Sequence, residues 1–140
     1  MKNYIVVTCG AGFIGSNLIE LLLKKTNKKI ISLDNYSSGF RKNHIKNSHV
    51  KYIEGDTINI QKYLLKYKNK IQSIFHFGEF PRIFQSFNKL NGCFKSNSIG
   101  SYAVFKFCLD NKIKLIYSAT SASLGNNGND KNLSPYSFTK

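Results

Sequence analysis

Two groups of residues in this chain could do chemistry. One is the segment SPYSFTK, where Tyr136 stands four positions before Lys140. A phenol titrates near about 10, so an ordinary tyrosine is a poor base at neutral pH. A lysine one helical turn away shares the tyrosine's face, and its charge stabilises phenolate. Tyr136 could then take the proton of a substrate hydroxyl. The other group is GAGFIG, in which Gly10, Gly12 and Gly15 make a G-x-G-x-x-G between an apolar run and an amphipathic one. Such glycines permit a tight turn and let backbone approach a pyrophosphate, while the following helix offers free N–H groups to the anion. Asp34 lies 19 residues beyond Gly15, at the end of the next apolar run. A carboxylate there can accept hydrogen bonds from a ribose diol and would repel a 2′-phosphate, which favours NAD over NADP. Arg41, further along the same loop, pulls the other way.

The elements that must carry these residues alternate. YIVVTC (4–9), KIISLD (29–34), HVKYIEGD (49–56), IQSIFHFG (71–78) and IKLIYSAT (113–120) read as strands. SNLIELLLKK (16–25), INIQKYLLKYKNK (58–70) and SIGSYAVFKFCLDNK (98–112) have helical spacing. In the second of these, Ile60, Leu64 and Tyr67 share one face. Continuous apolar strands separated by helices imply βαβ units and a parallel sheet with right-handed crossovers. The expected fold class is α/β, a Rossmann-like doubly wound parallel sheet.

Composition narrows the function classes. Of 140 residues, 41% are hydrophobic, enough for one domain with a real core. The longest apolar stretches, such as LIELLL (18–23), are too short to span a bilayer, which argues against a membrane partner, and the reading of the cysteines as structural thiols in a reducing compartment points to a cytoplasmic location. Three cysteines, Cys9, Cys93 and Cys108, have neither CxxC spacing nor nearby histidines, so they read as structural thiols and no metal site is expected. The chain carries 21 basic against 7 acidic residues, a formal charge of +14. Its lysines are scattered among asparagines and isoleucines rather than gathered in one stripe. They read as a solvated surface, and a nucleic-acid binder is the weaker alternative.

The blocks VVTCGAGFIGSNLIE, LDNYSSG, EGDTIN, IFHFGE, YSATSASLGN and SPYSFTK, in this order, resemble the extended short-chain dehydrogenase/reductases. More narrowly, they resemble the NAD-dependent nucleotide-sugar epimerases and dehydratases of the UDP-glucose 4-epimerase group. The resemblance covers essentially the whole chain. It implies that Gly10, Gly12, Phe13 and Ile14 contact the pyrophosphate of NAD, with Gly15 packing the helix. Asp34 and Asn35 would hold the adenosine ribose, Asp56 and Thr57 the adenine, and Phe77 and Gly78 the nicotinamide side. Asn97 would support the cofactor and the catalytic region. Counting back from Gly125 places the catalytic hydroxyl at Thr120, beside the Tyr136–Lys140 pair. Lys140 would also hold the nicotinamide ribose. The implied chemistry is transient oxidation of a sugar hydroxyl by hydride transfer to NAD.

Three departures from the family pattern bear on these expectations. Cys9 takes the place of the family's first glycine, at a cost on the order of 1 kcal/mol if the backbone there is glycine-like. HFGE replaces the commoner HLAA, which puts Glu79 near the cofactor edge, facing substrate or solvent. His76 before it reads as a packed core histidine rather than a base. Family members also run to more than twice this length. On that ground residues 1–140 are expected to be an incomplete NAD-binding domain, truncated after the fifth strand and lacking the C-terminal substrate domain. One flank of the sheet would then be an exposed edge, and little or no turnover would be expected of the isolated chain. A nucleotide-sugar substrate would require a C-terminal part to complete the pocket, and a homodimer or a complementing chain is the expected protein partner. The alternatives are a non-catalytic NAD-binding or protein-interaction module, or half of a split enzyme.

Overall fold

The computed structural model describes residues 2–124 and 133–140. Gly125 and the glycine- and asparagine-rich stretch after it lie outside the described residues. Five parallel strands form one sheet: β1 (Tyr4–Thr8), β2 (Lys29–Asp34), β3 (Val50–Glu54), β4 (Ile71–His76) and β5 (Lys114–Tyr117). Their spatial order is β3-β2-β1-β4-β5. The three inner strands are buried along most of their length, because both their faces are covered. β3 and β5 are the outer strands, and their side chains are only partly buried.

Alternation within each inner strand divides the core into two layers. Val6, Ile31, Leu33 and Ile74 pack with Ile60 and Leu64 of α2 (Ile60–Leu64) and with Val104, Phe107 and Cys108 of α5 (Ser101–Asp110). Val7 and Ile30 point to the opposite face, against Ile19, Leu18 and Leu22 of α1 (Phe13–Lys25). Ile60 and Leu64 are buried and Tyr67 packs against the same cluster, as the spacing predicts. The regular α-helix is nevertheless confined to one turn, with tighter 3-10 turns at Thr57–Asn59 and Leu65–Lys70.

Between β4 and α5 the chain forms two helices that sequence periodicity does not reveal, α3 (Ile83–Asn88) and α4 (Leu90–Phe94). Their apolar residues Phe84, Phe87 and Leu90 are exposed, so no buried stripe marks them. Helical backbone continues through Lys95–Gly100 into α5. Pro135–Thr139 forms the last helix, α6, capped by the Ser134 side chain, which accepts from the Ser137 N–H. It packs on α3 and α4.

Candidate active site

The order of the strands reverses between β1 and β4, where the connections leave to opposite sides of the sheet. In open α/β sheets ligands bind beyond the carboxyl ends of strands at such a point. The glycine loop leaves β1 there. Gly15, in the first turn of α1, has no room for a side chain: a Cβ would stand 2.1 Å from the Cys9 carbonyl oxygen. Gly12 caps α1 with extended backbone and no side-chain cap, so the first N–H groups of the helix have no side-chain acceptor there. Phe13 and Ile14 are exposed at this helix start. Gly10 is buried against Ser32 and Ile19.

Cys9 adopts φ 56°, a left-handed conformation that favours glycine. The strain anticipated for a side-chain-bearing residue at this position is therefore present. Burial, and then the neighbouring Asp34 carboxylate, push the Cys9 thiol up to about 11, so it stays protonated and unreactive at neutral pH.

Asp34 is nearly fully buried and ties two loops together. One carboxylate oxygen accepts from the Ala11 N–H at 2.9 Å and the other from the Tyr36 N–H at 2.8 Å. Asn35 donates to Asp56 at 3.1 Å, and Asp56 also accepts from the Ile58 N–H at 3.0 Å. A small, open cavity lies among these groups, lined by Cys9, Asp34, Asn35, Thr57, Gly78 and Glu79 together with neighbouring residues. Arg41 does not enter it. Its guanidinium pairs with Glu54 at 2.5 Å and lies 4.5 Å from the centre of the Tyr36 ring.

The other end of the cavity rests on a buried polar chain. His76 is wholly buried, with Nδ1 2.8 Å from the Thr8 hydroxyl and Nε2 3.0 Å from the Ser101 hydroxyl. Burial first, and then the Lys140 charge, hold its pKa down to about 3, so the ring is neutral. It is the packed histidine that its strand-end position suggests. The Thr8 oxygen accepts from the Phe77 and Gly78 N–H groups at 3.0 and 2.7 Å, which fixes the backbone leaving β4.

Glu79 does not face solvent, although it borders the cavity. Its carboxylate turns inward and accepts from Ser101 at 3.0 Å, Tyr117 at 2.9 Å and Ser118 at 3.2 Å. It also forms an ion pair with the Lys140 ammonium, which donates in addition to the Ser118 carbonyl. The two side chains are 3% and 6% exposed. Burial, followed by the Glu79 charge, raises the Tyr117 phenol above its usual range.

Asn97 is buried beneath the site rather than in the cavity. It accepts from the Phe80 N–H at 2.6 Å and donates to the Thr139 hydroxyl at 3.1 Å, linking the loop after β4 to α6. Tyr136, in α6, is half-buried, and its N–H donates to Ser86 at 3.1 Å. Thr120 caps the turn Ser121–Ser123 by accepting from the Ala122 N–H at 3.2 Å. The fold thus brings Lys140 to the β4 and β5 ends. Ser101, Tyr117 and Ser118 join it there, the last two from the start of the block YSATSASLGN. Only the departure HFGE marked Glu79.

The glycine loop after β1, Asp34 at the end of β2 and the cavity at the strand ends have the arrangement of a dinucleotide-binding α/β fold. Residues 5–140 match the NAD dependent epimerase/dehydratase family, and the chain belongs to that family. A related protein is the ADP-L-glycero-D-manno-heptose-6-epimerase of Brachyspira hyodysenteriae, 31% identical over 147 residues, covering 97% of this chain and 45% of the relative. Among solved structures, the UDP-N-acetylglucosamine 4-epimerase of Methanobrevibacter ruminantium in complex with UDP-N-acetylmuramic acid superposes with TM-score 0.83 at 29% identity, covering 99% of this chain and 47% of that one. The UDP-glucose 4-epimerase of Brucella ovis in complex with NAD shares the fold, with TM-score 0.84 at 21% identity over 98% of this chain and 44% of that one. The chain therefore spans about half the length of the relatives it matches.

Proposed function

We propose that this chain is the NAD-binding part of an enzyme that oxidises a hydroxyl of a nucleotide sugar in the course of epimerisation or dehydration. The observation that carries the reading is the cavity at the strand ends, bordered by Cys9 before the glycine loop, buried Asp34 and Glu79. The residues present suit a dinucleotide. The glycine loop is too tight for added side chains, the start of α1 is uncapped, and Asp34 is locked in place by two backbone donors. Arg41, the group that could have welcomed a 2′-phosphate, lies outside the cavity lining and pairs with Glu54 at the exposed surface.

In this reading Gly10, Gly12, Phe13 and Ile14 line the pyrophosphate path, and Gly15 seats α1 close behind it. Asp34 and Asn35 bind the adenosine ribose, with Asp56 and Thr57 bounding the adenine. Phe77 and Gly78 flank the nicotinamide end, and Asn97 supports that end through Phe80 and Thr139. When bound, NAD supplies the hydride acceptor and returns the hydride later. Tyr136 takes the hydroxyl proton, Thr120 hydrogen-bonds the same oxygen, and Lys140 stabilises the phenolate. The names of the relatives suggest a nucleoside-diphosphate sugar as substrate.

Calorimetric titration with NAD tests the proposal. Binding near micromolar or tighter is expected, with markedly weaker binding of NADP. A chain that melts cooperatively yet releases no heat with NAD would refute it.

A further inference from the structure

We infer that Glu79 is a positioning residue for Lys140, holding its ammonium in an ion pair at the edge of the dinucleotide cavity. The inference rests on the reading above, and the argument begins with charge. Glu79 and Asp34 both line the cavity, so two carboxylates border the space that an anionic dinucleotide would enter. A buried carboxylate beside an anionic ligand is strongly unfavourable unless a cation pairs with it. Lys140 supplies that cation from 61 positions further along the chain.

Anchoring is the other half of the argument. The Lys140 ammonium is fixed by the ends of β4 and β5. It donates to Glu79 and to the Ser118 carbonyl, and it stands 5.0 Å from the centre of the Tyr117 ring. Glu79 in turn cannot swing away, because Ser101, Tyr117 and Ser118 all donate to it. Ser101 is itself held by neutral His76, which completes a rigid path back to Thr8 in β1. An alanine at position 79, as in the commoner HLAA pattern, could provide neither the charge nor the anchor.

The test compares NAD affinity in the wild type, Glu79→Gln, Lys140→Met and the double variant, each well below its melting temperature. Lys140→Met leaves the Glu79 carboxylate unpaired and is expected to weaken NAD binding about tenfold or more. The double variant removes that carboxylate and should recover at least about threefold of the loss, a rescue that no purely mechanical role would produce. Additive or worse binding by the double variant would overturn the inference. A second measurement needs no cofactor: the rate at which an acylating reagent modifies Lys140, read by mass spectrometry. Glu79→Gln should raise that rate about fivefold or more while exposed Lys24 is unchanged, and equal rates would overturn the anchoring. Should the wild type bind no NAD at all, the dinucleotide reading fails by itself, and the acylation rates still decide whether Glu79 holds Lys140.

Discussion

Replacing Gly15 by alanine adds one methyl group at the point where α1 meets β1. The new carbon would lie 2.1 Å from the Cys9 carbonyl oxygen and 2.8 Å from both the Cys9 carbonyl carbon and the Gly10 Cα. Ordinary contact begins at 3.4 Å, so α1 must withdraw by more than about 1 Å, and no rotamer change can relieve backbone atoms. Overpacking of this kind costs about 3 kcal/mol, and the better helix propensity of alanine returns about 1 kcal/mol. The net loss of about 2 kcal/mol corresponds to a melting temperature lower by roughly 6–10 °C for a domain of this size. Gly92 provides the matched control. It is exposed in α4, and an added Cβ meets nothing within 4 Å. Gly92→Ala should therefore stabilise by about 0.5–1 kcal/mol, raising the melting temperature by roughly 2–4 °C. Differential scanning calorimetry of the two variants and the wild type, with NAD titrations in parallel, reads both effects. The Gly15 variant should also bind NAD at least about tenfold more weakly, because in the proposed reading the displaced helix offers its first N–H groups to the pyrophosphate. If both variants melt within about 1 °C of the wild type, the packing argument for the glycine loop is wrong.

Acid should weaken the fold through His76, whose pKa is about 3 when folded against an ordinary 6.5. Below about 6.5 the unfolded chain binds this proton and the folded chain does not, so stability falls with falling pH, by about 2 kcal/mol between pH 7.5 and 5. His76→Gln should flatten that part of a melting-temperature profile, and an unchanged slope would show that the histidine is not the source. Ser32 makes a third case, because its hydroxyl is buried in the sheet without a hydrogen-bond partner among the described residues. Ser32→Ala should raise stability by about 1 kcal/mol in urea denaturation, and a loss of that size would mean that the hydroxyl is satisfied after all.

Much of the fold was legible in the chain itself because its signals are local. Apolar β-branched runs placed the five strands within a few residues, and the alternation of strands and helices required a parallel sheet. The G-x-G-x-x-G after β1, with Asp34 closing β2, located the cofactor side of the site, since the turn, the helix start and the acid all lie within 25 positions, Gly10 to Asp34. Where the local signal was poor, the reading failed. α3 and α4 escaped notice because Ile83, Phe84, Phe87 and Leu90 are exposed and trace no buried stripe.

The sequence by itself determined the strand pattern, the phosphate loop and the Tyr-x-x-x-Lys spacing, all properties of neighbouring residues. Only the tertiary structure decided that Cys9 holds a glycine's backbone conformation, that Arg41 is occupied by Glu54, and that Glu79 turns away from solvent onto Lys140. The reason is common to all three. A side chain's partner is chosen by which strand ends the crossovers bring together, and pairs such as Glu79 and Lys140 meet only after the sheet has formed. No periodicity along the chain encodes such a meeting, whereas burial of two opposite charges in one place demands it.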